Sequence, residues 1–171
     1  MSRAPWLKVK ESAAQGSRPT RIRMISFFPD LNVWVALSDQ SHVHGTQAWE
    51  WLHLLPREAR IIFSRYTHIG LLRLLTSEAV MGPATLTLAK AWHAYDTWLS
   101  DPRVEFYPEP FGLETALRDA TAPFGAKPAS KFVGDCYLLA FSKQSQATLV
   151  TFDRQLLAFA RKNGYAAVMP A

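Results

Sequence analysis

An α/β fold with a parallel central sheet is the class this sequence predicts, and three observations predict it. Short apolar segments rich in β-branched and aromatic residues alternate with helix-length segments whose apolar residues recur at three- and four-residue steps. Two of the short segments end abruptly in an aspartate, Asp30 and Asp153, each just before a stretch that reads as a helix. Across 171 residues an apolar fraction of 49% is enough to bury one substantial core. Such alternation gives a three-layer sandwich, a sheet of four or five short strands flanked by helices.

The first strand is the apolar run after Ile25, closed by Asp30, and Asn32 and Trp34 open a short helix. From His42 to Leu55, Val43, Ala48, Trp49, Leu52 and Leu55 mark an amphipathic helix stopped by Pro56. Arg60 to Ser64 reads as a buried strand and Tyr66 to Thr76 as an apolar helix. Gly82-Pro83 punctuates the chain, with Pro83 suited to a first helical turn. A long helix is then expected from about Pro83 to Ser100, burying Leu86, Ala89, Trp92 and Trp98.

Asp101-Pro102 signals a turn, and Val104 to Tyr107 a third strand. A helix near Phe111 to Ala122 and a Pro/Gly loop follow. Lys131 to Gln144 is apolar and long enough for a helix, and Thr148 to Phe152 is rich in strand formers. The segment after Asp153 is a helix stopped at Gly164, and Ala166 to Met169 adds a last strand.

The formal net charge of +5 suggests a polyanion partner, but its location weakens that reading. Residues 1–23 alone carry that surplus, and the body from residue 24 holds 13 basic and 13 acidic residues. The first 23 residues read as a basic extension, disordered or loosely attached, and 24–171 as one domain. No apolar run has the roughly 18 to 20 residues that cross a bilayer, and no signal-peptide core is present. A single cysteine, Cys136, excludes an internal disulfide and a cysteine-based zinc site. A cytoplasmic protein without membrane contact is expected.

Taken singly, Asp30 and Asp153 read as helix N-caps. Asp135 is different, because it stands inside a helix with Phe132, Leu138 and Leu139 on its face and Lys131 one turn back. A carboxylate there needs a compensating charge, either Lys131 or a divalent cation. Two strand-end aspartates and one on the helix feeding the last of those strands can converge at one sheet edge. Hard cations such as Mg²⁺ and Mn²⁺ take oxygen ligands, and such a site suits activation of water against a phosphodiester.

The pattern Asp30-Leu-Asn32-Val-Trp34, His42-Val-His44 before Ala48-Trp49, Asp135-Cys-Tyr-Leu-Leu-Ala140 and Leu149-Val-Thr151-Phe-Asp153-Arg154 resembles the PIN-domain ribonuclease toxins of the VapC type. The resemblance covers about residues 24 to 169. It implies a PIN-like sandwich and a Mg²⁺- or Mn²⁺-dependent endoribonuclease, the toxin of a toxin–antitoxin pair. The implied partners are RNA, an antitoxin protein and a second copy of the chain. By the resemblance Asp30, Asp135 and Asp153 are metal ligands and catalytic residues.

One departure stands out. The family usually places a Glu on the helix after the second strand, and the matching position here is at or near Gly70. A three-Asp site would bind metal less tightly, or hold one ion where four acids hold two. Thr67 or His68 is a candidate to hold a metal-bound water, although His68 reads first as a packed helix histidine. A similar Thr-x-x-Gly-Leu-Leu-Arg stretch occurs in some VapC-like sequences, so the change reads as a subgroup trait.

Thr151 is expected to point to the same side as Asp153, and Asn32 to orient Asp30 or complete the turn. Arg73 either holds a phosphate or seals an ion pair, and His42 and His44 read as surface or capping groups. Two other readings compete. The absent acid favours a degenerate PIN-like domain that binds a protein without cleaving RNA. A receiver-type domain phosphorylated on Asp30 is disfavoured, since Asn32 replaces the helpful second acid and no suitable lysine follows.

Overall fold

A computed structural model describes residues 25–39, 41–126 and 128–171, so the proposed extension of residues 1–23 lies outside the described residues. The elements follow the expected alternation: β1 Ser26–Pro29, α1 Leu31–Ser38, α2 Gly45–Leu54, β2 Arg60–Phe63, α3 Arg65–Leu75, α4 Glu78–Met81, α5 Leu88–Leu99, β3 Val104–Phe106, α6 Leu113–Thr121, α7 Ser130–Gln144, β4 Thr148–Val150, α8 Arg154–Lys162 and β5 Ala167–Val168. The five strands form one sheet in the order β3-β2-β1-β4-β5, and every pairing is parallel.

Successive strand residues serve opposite layers, as a pleated strand buried on both faces requires. Ile61 and Phe63 pack with α1, α2, α3 and α5, whereas the intervening Ile62 packs with α6, α7 and α8. Val150 and Leu149 divide in the same way. On the first side Trp34 is fully buried and stacks on Phe63, with ring centroids 3.7 Å apart.

Sheet order settles one alternative. A receiver-type domain runs in the order 2-1-3-4-5, so the β3-β2-β1-β4-β5 order excludes that topology.

The long helix expected from Pro83 to Ser100 does not form as one piece. Gly82 adopts φ 50° and ψ −126°, a conformation that L side chains rarely adopt, and a short 3-10 turn spans Gly82–Ala84. The Thr85 hydroxyl donates back to the Gly82 carbonyl at 2.5 Å, and Thr87 caps a separate α5. The buried face of α5 is therefore Ala91 and Tyr95, while Ala89 is exposed and Trp92 is 44% exposed. The expected burial of Val43 also fails, and the helices expected from His42 and near Phe111 both start later than their patterns. Val43 precedes α2 and is 84% exposed, and Phe111 precedes α6 and lies wholly in solvent. No described helix is long and apolar enough to cross a membrane.

Candidate active site

The sheet order reverses between β1 and β4, and in open α/β sheets the crevice at the carboxyl ends of such strands receives ligands. Asp30 directly follows β1, and Thr151 and Asp153 follow β4. The Asp30 backbone N–H still donates to the Val150 carbonyl at 2.8 Å, so strand pairing carries Asp30 up to the second loop.

The Asp30 carboxylate is held at three points. Its Oδ1 accepts from the Leu31 N–H at 2.5 Å, capping α1, and its Oδ2 accepts from Thr151 Oγ1 and Asn32 Nδ2, each at 2.9 Å. Asn32 Oδ1 in turn accepts from the Phe152 N–H at 3.2 Å, and Thr151 Oγ1 from the Asp153 N–H at 3.0 Å. Asn32 and Thr151 thus lock the Asp30 side chain and tie the two strand-end loops together. Asp153 caps α8, its Oδ1 accepting from Gln155 and Leu156 N–H groups at 2.7 and 3.1 Å. The capping reading therefore holds for both residues.

Asp135 projects from the second turn of α7 and is half-buried. The alternative of a pair with Lys131 fails, because Asp135 makes neither an ion pair nor a side-chain hydrogen bond among the described residues. Burial, then the charge of Asp153, pushes its carboxyl above the ordinary range. Asp30 is pushed further, to about 6, chiefly by burial. Thr151 and the Leu31 N–H oppose that shift, and the charges of Asp135 and Asp153 add to it.

Asp30 therefore sets a pH dependence whose sign is fixed. A carboxyl whose folded-state pKa lies above its unfolded value stabilises the fold fully below the unfolded pKa, near 3.8, and loses that contribution as pH rises through about 6. The difference corresponds to about 3 kcal/mol. In chelator, the wild type minus Asp30→Asn difference in unfolding free energy is expected to fall by about that amount from pH 4 to pH 7. A flat difference in urea titrations across that range would refute the assignment.

These residues suit a divalent cation in chemistry more than in posture. The donors are hard carboxylate oxygens, Asp135 is unpaired, and neighbouring carboxylates raise the proton affinity of Asp30 and Asp135, a field that a cation relieves. Among the described residues, however, no three acid, histidine or cysteine side chains converge closely enough to hold one ion. The capping bonds of Asp30 and Asp153 turn oxygens toward helix ends. Charge coupling reaches further than ligand distance, so the two observations are compatible.

The missing acid has a structural counterpart. A Cβ added to Gly70 would stand 2.5 and 2.6 Å from the two methyls of Leu31, so Leu31 fills the space where an acidic side chain would begin. Gly70 is one of a stripe on α3 with Tyr66 and Arg73, four and three residues apart. The Tyr66 hydroxyl lies against Gly134, where a Cβ would be 2.4 Å away. Burial and the charges of Asp30 and Asp135 raise the Tyr66 pKa, and Arg73 opposes them. Tyr66 was not foreseen; the Tyr66–Gly70–Arg73 spacing is the signal that points to it. We expect Gly70→Glu with Leu31→Ala to tighten Mn²⁺ binding at least about ten-fold in calorimetry, and Gly70→Glu alone to gain much less. Equal affinities would place the cation elsewhere.

Two sequence candidates change role. Thr67 is fully buried and belongs to the capping box of α3, its Oγ1 accepting from the Ser64 N–H at 3.0 Å and donating to the Ser64 carbonyl. Its hydroxyl is committed to the helix start, so Thr67 does not hold a metal-bound water. His68 is 3% exposed, stacks on Tyr95 with centroids 4.0 Å apart and meets Arg65 at 2.9 Å, a packed histidine. Arg73 is exposed and makes no ion pair among the described residues, which leaves its guanidinium available to an anion.

A cavity of about 180 Å³ lies between Asp135 and Asp153. A larger one, about 680 Å³, lies in the other helical layer between the end of α1, α2 and α5, and contains none of the three carboxylates.

Residues 27–162 match the PIN domain family model. The chain is 38% identical to Ribonuclease VapC41 of Mycobacterium tuberculosis over 128 residues, covering 72% of this chain and 86% of that protein. The fold is similar to VapBC2 from Rickettsia felis, crystallised with a promoter DNA fragment, with a TM-score of 0.61, 16% identity and coverage of 85% of this chain and 98% of that one. It is also similar to Mycobacterium tuberculosis VapC20, a sarcin-ricin loop cleaving toxin, with a TM-score of 0.58, 16% identity and coverage of 81% and 95%. The strand-end aspartates, the sheet order and a family match over most of the body agree: this chain belongs to the PIN-domain family, as a relative of the VapC ribonucleases.

Proposed function

We propose that this protein is the toxin of a type II toxin–antitoxin pair, a Mg²⁺- or Mn²⁺-dependent endoribonuclease acting at the Asp30–Asp135–Asp153 cluster. The observation that carries the reading is Asp135, a half-buried carboxylate without a protein partner, facing two more acids at the sheet's reversal point. Like-charge carboxylates raised by burial and by one another cluster at functional sites, where a cation or substrate relieves the repulsion. The 38% identity to a VapC ribonuclease supports the same activity.

Asp30, Asp135 and Asp153 would hold a divalent cation, which would supply positive charge near the phosphodiester and lower the pKa of a bound water. Thr151 and Asn32 hold Asp30 in one orientation by donating to Oδ2, which keeps that carboxylate pre-set for its ligand. Asp135 and Asp153 supply the remaining carboxylates. Arg73, with its free guanidinium, and Tyr66, beside Asp30 and Asp135, are placed to bind the phosphate oxygens of the RNA. The partners we assign are RNA, a cognate antitoxin and a second copy of the chain, in the cytoplasm.

The purified chain is expected to cleave RNA with Mg²⁺ or Mn²⁺, to stop in chelator and to recover on metal addition. Expression should arrest growth, with relief in Asp30→Ala. A folded chain that cleaves no RNA and takes up no Mn²⁺ in calorimetry would instead support the degenerate, protein-binding reading.

A further inference from the structure

The cavity between Asp135 and Asp153 has aromatic walls that the three carboxylates do not explain. Phe124 from the 3-10 turn after α6, Phe132 from α7 and Phe159 from α8 line it, and Gln155 borders it. Phe124 and Phe132 stack with centroids 4.4 Å apart and planes 8° apart, and Phe159 lies 5.6 Å from Phe124. Even so, Phe132 remains 43% exposed. Three apolar rings left partly open beside two charged carboxylates are costly to hydrate unless something covers them.

We propose that this cavity receives one unstacked nucleobase of the RNA, next to the phosphodiester being cut, and that it sets a base preference at the cleavage site. The proposal rests on the ribonuclease reading above.

Four features favour a base as the occupant. The volume, about 180 Å³, is well below the roughly 300 to 1,000 Å³ of pockets for drug-sized ligands, which suits a single ring system. The walls are aromatic faces, the usual platform for a base splayed out of single-stranded RNA. Asp135 and Asp153 belong both to the cavity wall and to the carboxylate cluster, so a base seated here brings its own phosphate to the reacting centre. Finally, exposed Lys131 precedes Phe132 and exposed Arg154 follows Asp153. Neither makes an ion pair among the described residues, which leaves both for the flanking phosphates. Gln155 offers an amide donor and acceptor to the base edge.

The test uses the full chain with Mn²⁺ and short RNA oligomers whose cleavage position has been mapped with wild type. Phe132→Ala is expected to raise KM about ten- to a hundred-fold, with kcat within a few-fold and Mn²⁺ affinity unchanged. An oligomer made abasic at the nucleotide beside the cut should lose the same factor with wild type and little more with Phe132→Ala. Phe132→Tyr, which keeps the ring, should restore cleavage, and Gln155→Ala should change which base is preferred. Cleavage of both oligomers at wild-type rates by Phe132→Ala would overturn the proposal and leave the cavity to a protein segment. An equal loss on intact and abasic RNA would also overturn it, as a merely structural effect. A wild-type chain that cleaves no RNA removes the ribonuclease reading itself, and the base subsite with it.

Discussion

Asp135→Asn is expected to reduce RNA cleavage by more than about a hundred-fold while leaving the fold at least as stable as wild type. Partners outside the ligand shell of metal sites are already worth about ten- to a hundred-fold, so loss of a ligand carboxylate exceeds that range. Stability should respond in the opposite sense to an ordinary substitution in a packed helix. Asp135 makes no ion pair or side-chain hydrogen bond among the described residues, and its charge raises the proton affinity of Asp30. Replacing it by a neutral isostere removes a repulsion and breaks no contact. Activity lost and stability held or gained is the signature of a residue kept for function. Retained cleavage, or a loss of several kcal/mol in urea unfolding, would sink the assignment.

The second large effect is on folding. Trp34→Ala should destabilise the protein by about 3 to 5 kcal/mol, the range for removing a buried aromatic side chain. For a chain of this size that is roughly 10 °C in Tm. Trp34 is fully buried in α1, stacks on Phe63 of β2 and meets Trp98 of α5 edge-on at 5.6 Å, so its ring joins the sheet to two helices. Its indole N–H is buried with no acceptor among the described residues. Trp34→Phe should therefore cost far less, since it keeps an aromatic ring and removes an unsatisfied donor. Similar losses for the two variants in denaturant titrations would show that the ring stack is not what holds α1. The site depends on this packing because α1 begins at Asp30, so a displaced α1 also displaces the first carboxylate.

These expectations separate what could be read in the chain from what could not. Short apolar runs of β-favouring residues and their punctuation located β1, β2, β3 and β4 close to their actual bounds. The aspartates at strand ends marked Asp30 and Asp153 because a parallel sheet presents its strand ends together. The failures share one cause: periodicity does not specify where a helix begins. Gly82 and Thr87 split the expected long helix and rotated its buried face from Trp92 to Ala91 and Tyr95. Thr67 looked like a site residue because it carries a hydroxyl near the right place, but a capping box claimed it first.

By itself, the sequence determined the alternating α/β class, the two aspartates at strand ends, and the absence of an acid at Gly70. Those properties are local or follow from spacing along one strand or helix. Only the tertiary structure decided what long-range contact must supply. It put Leu31 into the space at Gly70, Tyr66 against Gly134, and Thr151 onto Asp30 across 121 residues of chain. It also assembled Phe124, Phe132 and Phe159 from three separate elements into one wall beside Asp135 and Asp153. The physical reason is that burial and charge coupling depend on distance in space. No periodicity along the chain records which half-buried carboxylate is left without a partner.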